Sequence, residues 1–399
     1  MTNIAILGFG VVGSGTAKLL VDNKAQTEKL GADEINIKYI LDLRDFPDSP
    51  FADRIVHDYN IILADPDVSV VIEVMGGSHP AYEFTVAALR AGKSVITSNK
   101  EVVANFGDEF LRLAKENGVS YRFEASVGGG IPVISPMISC IGQNDIREVR
   151  GILNGTTNFI LTQMFTFGQS FESALADAQE RGYAERNPDA DVLGTDACRK
   201  IAILTAIVSG KLIDTSDIHT EGITAIRAND VIAAEKMGCT IKLVGRGIFG
   251  SDKPMAMVAP FIVPLDMPLG TVRGVYNAVE VLGEPIGNVM FYGQGAGAGA
   301  TASAVVGDLM QIMSCGANAS APVFEKCADA KDFNSFVSKH YVACDKALEG
   351  AVAAAFPEAS FVPASDECAF VTAAMSESDF ENAIADSGIK PLSHIRVLE

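Results

Sequence analysis

From residue 3 to about 140, short apolar runs alternate with amphipathic stretches. "NIAILG", "INIKYILD", "VSVVIEVMG", "KSVITSN" and "VSYRFEASV" read as strands, and "GSGTAKLLVDNKAQTEKL", "PAYEFTVAALRAG" and "GDEFLRLAKENG" between them read as helices. The runs are nearly continuous in apolar residues instead of alternating, as strands covered on both faces require. The pattern predicts an α/β fold, with a doubly wound parallel sheet over 1–140.

From about 141 the pattern becomes α+β. A helix is expected over roughly 194–210, and strands in "IKLVGRGIFG", "PMAMVAPFIVP" and "GVYNAVEVLG", giving a second domain over 141–292. The run "GQGAGAGATASAVVGDLMQIM" reads as a glycine-rich loop entering an Ala-rich helix, so that about 293–322 completes the first domain. A linker follows near 322–338. The tail, 339–399, reads as a small βαββαβ unit, with strands in "HYVACD", "ASFVPAS", "CAFVTAAM" and "LSHIRVLE" and helices in "ALEGAVAAAF" and "ESDFENAIADSG".

Composition narrows the function classes. A chain of 399 residues can hold two or three cores. A formal net charge of −19 argues against nucleic acid and anionic membrane surfaces, which both select basic patches. No apolar run reaches the roughly 18 residues of a membrane helix, and "MTNIAILGFG" enters a strand at once without a basic leader. The chain is therefore read as cytoplasmic. Seven scattered Cys without a C-x-x-C pair fit reduced thiols. The five His are isolated, with none of the spacings of a zinc hydrolase, and no Cys lies in a nucleophile motif of the kind an acylating dehydrogenase needs.

"ILGFGVVGSG" places Gly8, Gly10 and Gly13 in G-x-G-x-x-G spacing between the first strand and a helix, with Val11 and Val12 opening that helix. The glycines serve a tight turn, close approach to a pyrophosphate and close helix–strand packing. Asp42 ends the second strand, where a carboxylate binds ribose hydroxyls and repels a 2′-phosphate; Arg44 could instead meet that phosphate. The two cues conflict, with a mild lean to NAD over NADP. "EVMGG", with Gly76 and Gly77, and "TSNK", with Thr97, Ser98 and Lys100, end the next two strands, where such a sheet lines its cofactor cleft.

"EASVGGGIP" holds Glu124 in a turn with several carbonyls, a setting for a hard monovalent cation or simply a crossover loop. "NGTTNFIL" offers donors for a substrate carboxylate, or a helix cap. "GYAERNPDADVLGTDACRK" crowds four acids before Lys200. Asp196 and Lys200 are four residues apart on one helix face that is otherwise apolar. They form either a surface pair or a partly buried lysine suited to proton transfer.

In order and spacing these segments, together with "TSNKEVVANFG" and "GILNGTTNFIL", resemble homoserine dehydrogenase over most of residues 3–320. The resemblance implies NAD(P)-dependent interconversion of L-homoserine and L-aspartate 4-semialdehyde, towards threonine and methionine. It implies Lys200 as the catalytic lysine, held by Asp196, and Lys100 as a second lysine near the nicotinamide and the substrate. Glu185 and Asp196 match substrate ligands and Asp191 assists. Glu124, with the backbone of Val127, Gly129 and Ile131, matches a sodium site; Gly182, Gly295 and Gly297 match positions lining the cofactor. A homodimer or a higher homo-oligomer is implied as well. Longer family members end in an ACT-type domain. Here "CDKALEGAV" stands where a D-x-P-G-V turn would open its first helix, so a reduced ACT-like domain with weak or no threonine control is expected. Another Rossmann-type hydroxy-acid dehydrogenase would lack both lysines in this spacing. A silent NAD sensor would not need Lys100, Asp196 and Lys200 together.

Overall fold

The apolar runs near the N-terminus line up as a six-stranded sheet in which every pairing is parallel. The computed structural model describes residues 1–30, 34–250, 253–315, 321–364 and 366–399. They divide into a first unit of Met1–Asp145, Ala202–Thr215 and Gly293–Cys327, and a second of Ile146–Ile201, Ser216–Tyr292 and Ala328–Glu399. Residues 316–320 of the segment expected to complete the first domain, and Ser365 of the expected strand "ASFVPAS", lie outside the described residues. No described helix is long and apolar enough to cross a membrane.

In the first unit the strands run, in space, Ile55–Val56, Ile35–Leu41, Thr2–Leu7, Val68–Glu73, Ser94–Thr97 and Tyr121–Arg122. The order reverses direction at Thr2–Leu7, and doubly wound sheets bind ligands beyond the strand carboxyl ends at such a switch point. Ile4, Ile6, Ile72 and Ile96 share one core with Val305, Leu309 and Ile312 of the helix Ala298–Cys315. That apolar face explains why the chain returns here after residue 293. The two-residue strand Ile55–Val56 is an addition to the expected set, since so short a piece carries no readable period.

The second unit is built on an eleven-stranded sheet. Its main path runs Gly287–Gln294, Tyr276–Glu284, Asp145–Ile152, Cys239–Ile248, Met255–Pro264, Ser393–Val397, Val337–Asp345, Glu367–Val371 and Ser360–Val362. Cys239–Ile248 and Met255–Pro264 are paired antiparallel along their whole length and are buried on both faces.

The tail is expected as a separate piece, but its strands continue this sheet. Ser393–Val397 runs parallel to Met255–Pro264, pairing Phe261 with Arg396 and Ile262 with Val397. Leu398 is fully buried beside Phe261, Val263 and Phe336. Along the chain the tail's main elements come in the order strand, helix Glu349–Ala355, two strands, helix Glu377–Ser387, strand.

A buried polar network ties this junction. Arg396 donates through Nε and Nη2 to both oxygens of Glu377 (2.6 and 2.8 Å) and through Nη1 to Glu221 (2.9 Å). His219 bonds Glu221 at 2.6 Å. His340 and His394 share a 2.8 Å hydrogen bond and both stack on Phe380. Burial pushes both histidines down, His394 to about 3 with the Arg396 charge assisting.

Each histidine is neutral in the fold, so the unfolded chain binds protons the fold refuses once pH drops below about 6.5. Stability is therefore complete above that pH and declines below it. Glu221, lowered to about 2 despite burial by its His219 and Arg396 partners, adds loss of the same sign at more acid pH. Thermal melts should show Tm falling between pH 6.5 and 5, with a shallower slope in His394→Gln. An unchanged slope in that variant would contradict this account.

Candidate active site

In the first unit the glycine turn is closed by its own backbone. Gly8 has φ +95°, and a Cβ on Gly13 would stand 1.9 Å from the Gly8 carbonyl oxygen. A Cβ on Gly10 would meet nothing within 4 Å, so one side of the turn stays open. Asp42 reaches this turn from the end of the second strand, its Oδ2 accepting from Phe9 N at 2.8 Å. Arg44 folds back on Asp42, donating through N and Nε to Oδ1 (both 3.0 Å) and through Nη2 to Oδ2 (3.1 Å). The Arg44 side chain, helped by the two backbone amides, outweighs burial and holds the Asp42 carboxyl well below the usual carboxylate range. Val11 is exposed and Val12 half-buried at the start of the helix Val11–Asp22.

Glu73 joins the next two predicted segments. Buried at the end of its strand, it accepts from Met75 N (2.8 Å) and from Thr97 Oγ1 (2.6 Å). Burial pushes its carboxyl up to about 7. Asn99 Nδ2 donates to Gly77 O at 2.8 Å, and Ser98 N to Glu73 O at 3.3 Å, so the Gly76–Gly77 turn and the Thr97–Ser98 turn form one assembly. Lys100, half-buried, is the first residue of the helix Lys100–Glu116, which Asn99 caps.

Glu124 is buried, and its carboxylate accepts from three backbone amides: Val133 (2.7 Å) and Ile134 (2.8 Å) on one oxygen, Ser135 (2.7 Å) on the other. Its own N–H donates to Asp308, whose fully buried carboxyl is pushed up to about 8 by burial and by the Glu124 charge. Val127, Gly129 and Ile131 lie in the turn between. Gly129 has φ +59°, and a Cβ there would sit 2.3 Å from Gly295 O, which brings that turn against the Gly295–Gly297 loop.

In the second unit one carboxylate oxygen organises the predicted acids. Asp196 Oδ2 accepts from Lys200 Nζ at 2.8 Å and from Asn154 Nδ2 at 2.9 Å. Lys200 Nζ also donates to Leu153 O at 2.7 Å. Asn154 Nδ2 gives its second hydrogen to Asp191 Oδ1 at 2.6 Å. Asp196 and Lys200 are only 6% and 8% exposed on the helix Thr195–Ser209. Burial, with the Asp196 charge adding, raises the Asp191 carboxyl against the opposing Asn154 bond.

The loop that carries these acids is fixed by close backbone approach. Gly194 has φ +85°, and a Cβ on Gly222 would lie 2.1 Å from Val192 O. Thr156 Oγ1 donates to Tyr183 O at 2.7 Å, anchoring the segment before it. Glu185 and Gly182 lie on the exposed part of that segment, and the Glu185 side chain makes none of the hydrogen bonds of the Asp191–Asp196–Lys200 group. Glu73 and Asn154 entered the sequence reading only within "EVMGG" and "NGTTNFIL"; of the two roles read for the second, Asn154 fills the helix cap. Both are buried polar side chains whose partners lie partly in other segments, and the sequence signal was their place at a strand end and at the head of "NGTTN".

Comparison with known proteins identifies the family. Residues 8–124 match the family profile described as the homoserine dehydrogenase NAD-binding domain, and residues 132–310 match the one described as homoserine dehydrogenase. The homoserine dehydrogenase of Synechocystis is 42% identical over 319 residues, covering 78% of this chain and 73% of its own. The crystal structure of a homoserine dehydrogenase from Thiobacillus denitrificans superposes with TM-score 0.91 at 29% identity, covering 100% of this chain and 98% of that one. A hyperthermophilic archaeal homoserine dehydrogenase mutant, solved in complex with NADPH, matches with TM-score 0.66 at 28% identity, covering 78% and 97%.

Gly13→Ala tests the closed turn. The added methyl cannot fit against Gly8 O, so the variant should lose about 1–3 kcal/mol of stability, the usual cost of overpacking, and bind NADH more weakly in a fluorescence titration. Wild-type Tm together with wild-type affinity would contradict the geometry.

Proposed function

The chain belongs to the homoserine dehydrogenase family, and we propose that Lys200 moves the proton in its NAD(P)-dependent oxidoreduction of homoserine. The observation that carries this is the buried Lys200 ammonium, held between Asp196 Oδ2 and Leu153 O. A lysine has three donors. Two are spent on these partners, and the third serves the substrate oxygen. When the aldehyde is reduced, Lys200 gives that oxygen a proton; when homoserine is oxidised, neutral Lys200 takes the proton back. Asp196 keeps the nitrogen in place throughout.

The cofactor contributes the hydride at its nicotinamide ring. The residues present fit it: Gly8 and Gly13 leave room only for a close backbone turn, Gly10 leaves open space beside it, and the helix Val11–Asp22 begins there. Gly76, Gly77, Thr97 and Ser98 extend that cradle, with Gly295 and Gly297 assigned to its rim and Gly182 carried over from the family resemblance. The ionised Asp42 favours ribose hydroxyls over a 2′-phosphate, and so NAD over NADP. Arg44, largely exposed, supports the second reading, in which it leaves Asp42 to meet that phosphate.

Asp191 and Glu185 are assigned to the substrate ammonium, and Lys100 to the nicotinamide and the substrate carboxylate. Glu124, whose carboxylate also accepts from three backbone amides, and the carbonyls of Val127, Gly129 and Ile131 would supply the oxygen donors that a hard cation takes. We assign Na+ to it, with the role of bracing the turn against the Gly295 loop. All seven cysteines are free, which suits a reducing compartment, and the cytoplasm is assigned on that ground. A homodimer and a place in threonine and methionine synthesis are carried over from the resemblance.

The tail is read as a reduced ACT-like domain. Asp345 Oδ1 accepts from Ala347 N at 2.8 Å and closes a tight turn over Lys346–Leu348, where a ligand-accommodating turn would stand.

Lys200→Ala should lower kcat by about two to four orders of magnitude in a spectrophotometric assay with homoserine; near-wild-type turnover would remove Lys200 from the reaction. The same assay with NAD and NADP should give the higher kcat/KM for NAD, and a preference for NADP would favour the Arg44 reading. Millimolar threonine should leave turnover nearly unchanged, whereas strong inhibition would contradict the reduced tail.

A further inference from the structure

Asn154 sits where three demands meet. Its backbone begins the helix Gly155–Phe167, and its Oδ1 accepts from Thr157 N at 2.9 Å as the helix cap. Its Nδ2 carries two hydrogens, one given to Asp191 and one to Asp196. The orientation is forced: a flipped amide would turn its oxygen on two carboxylates and its donors on the Thr157 N–H. The helix itself is pinned one turn on, where Lys242 Nζ donates to Asn158 Oδ1 (2.9 Å) and to Val272 O (2.6 Å). Asn154 is only 5% exposed, so water is a poor substitute for its donors.

We propose that Asn154 is a positioning residue for the reaction, its locked amide holding Asp191 and Asp196 side by side so that Asp196 presents Lys200 to the substrate. Half-buried Asp191 and buried Asp196 repel, the Asp196 charge adding to the burial that raises Asp191, and the shared NH2 opposes that rise. The inference rests on Lys200 being the proton-moving group.

Asn154→Ser separates the two duties of the side chain. Serine caps a helix about as well as asparagine, but it cannot donate to two carboxylates at once. In the reduction direction Lys200 works protonated, so the acid limb of kcat/KM for aspartate semialdehyde reports the carboxylates. Because the cap is kept, Asn154→Ser should still fold, with a Tm lowered by the donor that a carboxylate loses. kcat should fall about tenfold to a hundredfold, the scale of a misplaced catalytic group, and the acid limb should move up by about one pH unit as the carboxylates lose a donor. Asn154→Asp, which keeps the cap and adds a third acid, should lose more activity than Asn154→Ser.

Wild-type kcat and acid limb in Asn154→Ser would overturn the proposal. So would a raised KM with kcat and acid limb unmoved, which would make Asn154 a plain substrate contact. Lys200→Ala, run alongside, keeps the two ideas apart. Near-wild-type turnover there refutes the proton role of Lys200, whereas an inactive Lys200→Ala beside a fully wild-type Asn154→Ser refutes only the role of Asn154.

Discussion

Asp196 Oδ2 accepts from Lys200 and Asn154 at once, in a place with little access to water. A buried carboxylate and a buried ammonium are each costly to desolvate, and removing one partner typically costs about 3–5 kcal/mol because the other is stranded. Much of the second unit's local structure follows from that constraint. The helix Gly155–Phe167 must begin at a residue whose side chain can both cap and donate. Leu153 must turn its carbonyl toward Lys200. The loop before the helix Thr195–Ser209 must press against the chain at Gly222 closely enough that no side chain fits there. Lys200 and Asp196 are thus held by groups that are themselves held, and proton transfer depends on such fixed geometry.

The first unit meets a different constraint, which is to bring bare backbone close to anionic phosphates while keeping a sheet buried on both faces. Gly8 and Gly13 provide the closeness. Asp42 and Glu73 provide the fixing: Asp42 takes N–H groups from Phe9 in the glycine turn and from Arg44, and Glu73 takes that of Met75 in the loop beyond its strand. Their protonation contrasts. Arg44 keeps Asp42 ionised, while burial pushes Glu73 up to about 7. Carboxylates so similar in placement therefore answer differently to pH.

Much of this could be read from the chain. The parallel sheet followed from near-continuous apolar runs, and the pairing of Asp196 with Lys200 from their four-residue spacing, because both are local periodicities. The helix expected over 194–210 spans Thr195–Ser209. What escaped was long-range or buried. Nothing near Arg396 marks its pairing with Phe261 across the sheet, so the tail read as separate from the sheet it extends. Glu73, Asn154 and Lys242 are polar residues inside, and a pattern reading assigns polar positions to the surface unless a partner is visible nearby. Their partners come from other turns and strands. Glu185 shows the opposite difficulty: it stands among acids in the sequence, yet its side chain takes no part in the hydrogen bonds that join Asp191, Asp196 and Lys200.

The claim at the centre of this account is that the amine of Lys200 carries the proton. Chemical rescue addresses it directly. In Lys200→Ala, added primary amines of graded pKa should restore part of the homoserine oxidation rate, with the rate rising with amine basicity. No rescue by any amine, in a variant that still binds homoserine and coenzyme, would contradict the account.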